Sequence, residues 1–289
     1  MTANPVSLGR IGVWLSGRAL AGVSAGRLGE FAAEVEAAGY GAFWLGTATA
    51  DLAIARTVLA ATDRLAFATG ILNIWTEPAA EVAANHHRVN STFPDRLLVG
   101  IGLGHREANS AQDYAKPYAA LENYLDDVFG GDRPVPAEHT ALAALGPKVL
   151  RLAGTRTAGA HPYLVTPEHT RQAREILGPG PLLAPEHKVV LESDPDTARA
   201  VARPTVARYL GLLNYRNSLL RLGFTEADLA DGGSDRLVDE LVAWGEPEAV
   251  AARLAQHHEA GADHVTVQLL GVEDLPGERF RLLASALAG

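Results

Sequence analysis

The chain has 289 residues, 47% hydrophobic and 20% charged, a balance that excludes disorder and suits one large domain or two modest ones. A formal charge of −9 argues against a nucleic-acid or anionic-membrane surface and leaves room for no more than a local basic pocket. The absence of cysteine rules out disulfides, thiolate metal sites and cysteine nucleophiles.

The first ten residues, MTANPVSLGR, hold no apolar leader, and no run approaches the length of a membrane span, so a soluble, cytoplasmic protein is expected. RIGVWL (10–15) reads as a strand, followed by a helix that Ser24 caps and Gly39 ends. GAFWLG precedes helical DLAIARTVLAAT, and RLAFATGILNIW (64–75) precedes a helix with Pro78 in its first turn. RLLVGIGLGH (96–105) leads to the helix KPYAALENYLDDVF. HTALAALG, GAHPYLVT, KVVLES and ADHVTVQLL continue the rhythm, making eight strand candidates that are nearly all followed by helices. Repeated β-then-α order implies a parallel sheet with right-handed crossovers. Eight units of this size fit a (β/α)8 TIM barrel, one domain over 1–289. The irregular region 194–262, with three helical patterns and the break ADGGSD, reads as a helical insertion after the seventh strand.

Such barrels place their chemistry at the carboxyl ends of the strands. Unusual residues collect there: Trp14, Trp44, Asn73 with Trp75, His105, and His161-Pro162-Tyr163. Gly100, Gly102 and Gly104 share one pleat face, which opens a flat slot for a planar ring or else makes room for larger barrel neighbours. The pattern G-x-G-x-G is not a dinucleotide fingerprint. LGPKVLRLAG (145–154) offers a helix start at Gly146-Pro147 that would attract a phosphate, with Lys148 beside it; an ordinary Gly-Pro helix start reads the same way. The pairs His86-His87 and His257-His258 are adjacent on helices, point apart and make no metal site. No G-x-S-x-G elbow is present, and no Lys or Glu pair stands at the strand ends where a phosphate-binding isomerase would need one.

Together these residues resemble the luciferase-like monooxygenase superfamily, in its branch of coenzyme F420-dependent oxidoreductases. The resemblance runs along essentially the whole chain. It is carried by GRIGVWL, ATGILNIW, DRLLVGIGLGH, YAKPYAALENYLDDV and, most specifically, ALAALGPKVLRLAGTRTAGAHPYLVTPEHTRQAREILGPGPLLAPE. It implies a deazaflavin bound edge-on at the carboxyl face, its phosphate near Leu145, Gly146, Pro147 and Lys148. It also implies a bulge, often a non-proline cis peptide, at Gly70-Ile71, with Asn73, Gly102, Gly104, Ala160 and His161 along the cofactor. Only three of the 25 basic Lys and Arg residues are lysines, the bias of a GC-rich genome, which suits organisms that make this coenzyme.

The implied reaction is hydride transfer to or from a small organic substrate, in a protein that is often a homodimer. His105 is the first candidate for the catalytic contact and His161 the second, with Trp14, Trp44 and Trp75 shaping the substrate pocket. Many relatives carry an acid or histidine directly after the second strand, where this chain has Gly46 and Thr47; Glu107 is the nearest substitute. An FMN-dependent monooxygenase on the same barrel, and a non-catalytic cofactor-binding protein, are the alternatives.

Overall fold

The structure is a computed structural model that describes residues 4–107, 114, 116–272 and 274–287. Strand β1 (Ile11–Ser16) precedes helix α1 (Ala25–Ala37), β2 (Ala42–Gly46) precedes α2 (Ala53–Ala60), and β3 (Ala66–Thr69) with β4 (Leu72–Asn73) precedes α3 (Ala79–Thr92). β5 (Leu97–Gly102), β6 (Thr140–Leu142) and β7 (Gly159–Ala160) alternate with α4 (Pro117–Phe129), α5 (Pro147–Arg156) and α6 (Pro167–Leu177). β8 (Leu182–Leu183) and β9 (Glu186–Val190) then lead into α7 (Pro195–Leu210), α8 (Leu213–Arg221), α9 (Glu226–Leu229) and α10 (Asp235–Leu241). β10 (Val242–Trp244), α11 (Pro247–Glu259), β11 (Val265–Leu269) and α12 (Gly277–Leu287) complete the chain.

Local chemistry accounts for several boundaries. The Ser24 hydroxyl accepts the Arg27 N–H at 3.2 Å and caps α1. Pro147 is the first residue of α5, where its missing N–H loses no helical bond. Pro78 stands one residue before α3 and not inside its first turn.

Every strand pairing is parallel, and the order is β10-β9-β11-β1-β2-β3-β5-β6-β7-β8. The sheet curls, because β8 and β9 are separated only by Ala184 and Pro185 yet pair β7 on one side and β11 on the other. The result is a TIM-barrel-like α/β fold. Its inner face carries Trp14, Ala42, Trp44, Ala66, Ala68, Leu98, Ala141 and Ala184, two large indoles among small residues. The alternate residues Val13, Leu15, Phe43, Leu45 and Phe67 face the helices. The region 194–262 is richer than three helical patterns: it holds α7 to α11 and β10, which extends the sheet beside β9. A three-residue strand is too short for its periodicity to register in sequence. No helix among the described residues is long and apolar enough to cross a membrane.

The third strand contains the main irregularity. Ala68 lies opposite Leu98 but Leu72 lies opposite Ile101, so one extra residue is accommodated between β3 and β4, a bulge. The Gly70–Ile71 peptide within it is cis. Thr69 supplies the ladder bonds that the bulge removes: its hydroxyl accepts the Gly100 N–H at 2.8 Å and donates to the Gly100 carbonyl at 2.9 Å. A Cβ on Gly100 would stand 1.9 Å from the Thr69 carbonyl oxygen, so only glycine lets the strands approach this closely. Thr69→Val keeps the shape and strands two buried backbone groups. We expect a loss of about 2–4 kcal/mol in urea unfolding, and a loss below ~1 kcal/mol would contradict this account.

Candidate active site

The carboxyl ends of the strands open on one face, and the site is built there in layers. Trp44 is fully buried, stacks on the His161 ring at 4.0 Å and donates its indole N–H to His264 Nε2 at 3.1 Å. His264 in turn donates from Nδ1 to the Gly9 carbonyl at 2.9 Å. His161 Nδ1 donates to the Ala184 carbonyl at 2.7 Å, which leaves Nε2 as a bare acceptor. Burial pulls the His161 pKa down to about 3, against the opposing effect of the Ala184 bond, so the ring is neutral. Trp44 and His161 therefore form a floor beneath the mouth and do not stand on its rim. Trp14 lies beside them at 6% exposure. A Cβ on Gly70 would come within 2.8 Å of Trp14 Nε1 and 3.1 Å of His161 Nε2, and neither of these buried nitrogens has a hydrogen-bond partner. A donor and an acceptor thus converge on Gly70.

Above this floor lies a charged layer that sequence reading overlooked. Glu186 and Lys188 both point inward from β9, are fully buried, and are joined at 2.9 Å. This Lys–Glu pair occupies the first and third residues of β9, short of the strand's carboxyl end. The clue was the pattern E-x-K in PEHKVV, which puts both charges on one pleat face of a strand that ends in two valines. Lys188 Nζ also donates to Gln268 Oε1 at 3.2 Å and sits 3.6 Å from the centre of the Tyr163 ring. The other Glu186 oxygen accepts the Leu164 N–H at 3.1 Å. Burial lowers the Lys188 pKa to about 8 against the pull of Glu186, and burial raises that of Glu186. Tyr163 donates to Gln268 Oε1 at 2.8 Å, and Tyr209 of α7 donates to the Tyr163 oxygen at 3.2 Å.

The rim is aromatic. His105 lies 6.0 Å from the Tyr209 ring and 5.7 Å from the Tyr215 ring, and burial lowers its pKa while Glu107 opposes the shift. Glu107 is exposed and accepts the Leu213 N–H at 3.1 Å, tying the loop after β5 to α8. Trp75 is half-buried, donates its indole N–H to the Leu103 carbonyl at 2.9 Å, and donates its backbone N–H to Asn73 Oδ1. The glycines of β5 do not leave an open slot. Ile71 packs against Gly102 at 3.1 Å and Gly100 at 3.5 Å from their absent Cβ positions, so these glycines admit the bulge. Gly104 lies past the end of β5, with φ +60°.

The remaining part of the face is basic. Gly146 caps α5, whose first turn holds no acidic residue. The space above Gly146 is open up to the Arg221 guanidinium, 3.9 Å from where a Cβ would stand. Lys148 is exposed and lies 3.7 Å over the Tyr118 ring. Unpaired amides at a helix start, flanked by two cations, fit a phosphate. The donor–acceptor pair at Gly70 and this basic helix start together suit a ring cofactor with a phosphate tail. Ala160 ends β7, and Leu145 lies in the loop between β6 and α5, next to Gly146. Among the described residues no group of three or more His, Asp or Glu is placed to hold a metal. The adjacent histidines are used in pairs across elements instead, His86 with His139 at 3.1 Å and His257 with His187 at 2.9 Å.

Known structures share this architecture. An F420-dependent secondary alcohol dehydrogenase in complex with an F420-acetone adduct superposes with a TM-score of 0.69 at 15% identity, covering 97% of this chain and 99% of that one. The coenzyme F420-dependent tetrahydromethanopterin reductase of Methanopyrus kandleri gives 0.72 at 13% identity, covering 98% and 99%. The oxygenating constituent of 3,6-diketocamphane monooxygenase from Pseudomonas putida, in complex with FMN, gives 0.69 at 14% identity and 96% of both chains. At these identities the likeness establishes the fold. The sequence model of the luciferase-like monooxygenases matches residues 6–128 and 126–264, and the chain belongs to that family.

Proposed function

We propose that the protein is a coenzyme F420-dependent oxidoreductase, built as a (β/α)8 barrel with a helical insertion, that transfers hydride to or from a small organic substrate. The observation that carries this reading is the basic start of α5 at the mouth, in a chain whose net charge is −9. F420 bears a phosphodiester followed by glutamyl carboxylates, so it needs cations that reach past the first phosphate. Lys148 and Arg221 would hold that tail, and the Gly70 region with Trp14 and His161 would face the ring. When bound, the deazaflavin supplies a carbon centre that exchanges hydride and reacts poorly with oxygen. The protein's own part is to hold ring and substrate in register and to keep water out. His105, neutral at the rim, would contact the substrate's reacting oxygen.

The test is a fluorescence-quenching titration with oxidised F420 and, separately, FMN. Micromolar F420 affinity with weaker FMN binding is expected. Lys148→Met/Arg221→Met should weaken F420 binding about tenfold or more and flatten its salt dependence. Preferential FMN binding with oxygen consumption in the presence of a flavin reductase would replace this reading with the monooxygenase one. Tight F420 binding without hydride exchange over a broad panel would make the chain a cofactor-binding protein.

A further inference from the structure

We propose that Lys188 is a positioning residue, acting through Gln268 and Tyr163 to fix the Tyr209 hydroxyl oxygen at the mouth as the acceptor for a substrate hydroxyl group. The argument starts from the barrel interior. Much of the inner face is alanine, leucine and indole, yet two charges are buried there at full desolvation. A structural role alone does not explain why the pair continues outward. It is the inner end of an unbroken array, Glu186–Lys188–Gln268–Tyr163–Tyr209, that ends against His105 and the buried Tyr215.

The array also has a direction. A lysine ammonium only donates, so Gln268 must present its carbonyl oxygen to Lys188, and the same oxygen faces Tyr163. Tyr163 must then donate to Gln268 and accept from Tyr209. The hydrogen of Tyr209 is committed inward, and its oxygen is turned to the mouth as an acceptor. Arg208 is the charged neighbour there: it is exposed, and its guanidinium lies 5.1 Å from the Tyr209 ring. An alcohol O–H can donate to such an oxygen, whereas a ketone cannot. The inference rests on the oxidoreductase reading in that it takes the mouth as the substrate face, and it narrows the substrate class to hydroxyl compounds.

Two experiments decide it. The first uses the ligand-free protein with carbon-labelled tyrosine rings, assigned by single Tyr→Phe changes. In Gln268→Leu and in Glu186→Gln/Lys188→Met, which leaves no charge stranded, both the Tyr163 and Tyr209 hydroxyl-carbon signals should shift. A Tyr209 signal unmoved in both variants, each folded by circular dichroism, overturns the array. The second uses F420-loaded protein and the probe pair cyclohexanol and cyclohexanone, read by tryptophan fluorescence. The alcohol should bind about fivefold tighter than the ketone, a preference that Tyr209→Phe removes. A preference that survives Tyr209→Phe, or a ketone that binds more tightly, overturns the substrate class. Failure of wild-type protein to bind F420 at all would instead sink the cofactor reading, and the ligand-free experiment would still judge the array.

Discussion

Stability should fall steeply between pH 7.5 and 5.5, by about 5 kcal/mol, above the range in which an ordinary carboxylate titrates. Burial lowers the pKa of His86, His161 and His187 to about 3 and that of His264 to about 4. Each of these rings is protonated in the unfolded chain near its ordinary value of about 6.5 but stays neutral in the fold. The unfolded state therefore binds more protons below that value, and stability, fully present above it, is lost as pH falls towards the folded pKa values. At pH 5.5 each group accounts for about 1.4 kcal/mol, so four of them approach half the stability of an ordinary domain. Calorimetry should show Tm falling by about 8 °C over this range. The carboxylates held low by arginine, Glu168 by Arg171 and Asp228 by Arg236, act in a different window, below about pH 4. A Tm that stays level from pH 7.5 to 5.5 would show that these histidines are not held neutral. Replacing His187 and His257 together with leucine should flatten the slope.

The same histidines mark the boundary of what the sequence could tell. Alternating strands and helices, the Ser24 cap and the Pro147 helix start are local signals, and local chemistry decided them. The bulge at Gly70-Ile71 was accessible only through the family resemblance, because its partner contacts, Thr69 to Gly100 and Ile71 to Gly102, span about thirty residues. His264 gives no clue in ADHVTVQLL that it will receive the Trp44 indole from the other end of the chain. The stacking of Trp44 on His161 is likewise a contact across the barrel. It places Trp44, expected to shape the substrate pocket, and His161, the second catalytic candidate, in the floor beneath the mouth. Short strands such as β7, two residues long, owe their existence to their neighbours and not to propensity. The charged pair of β9 did leave a local trace, since i and i+2 charges in a strand share a face.

Lys188→Met should be among the most damaging single changes in the protein, and Glu186→Gln made on top of it should rescue most of the loss. Removing the lysine leaves a fully buried carboxylate whose remaining bond is to the Leu164 N–H, a situation that costs about 3–5 kcal/mol. Glutamine at 186 abolishes the stranded charge while keeping an acceptor for that N–H, so the double variant should return to within about 1 kcal/mol of wild type. Urea unfolding of the four proteins gives the coupling energy, expected to be several kcal/mol; additive losses would mean that the two groups are not paired in solution. An alkaline titration supplies an independent check. The folded pKa of Lys188, about 8, lies below that of the unfolded chain, so between pH 8 and 10 the unfolded state holds more protons and wild-type stability should rise with pH. The buried tyrosines, whose pKa values burial raises, oppose this rise only above about pH 10. In Glu186→Gln/Lys188→Met the rise should vanish. If it persists there, some group other than Lys188 is responsible, and the buried cation is not the strained element that its surroundings imply.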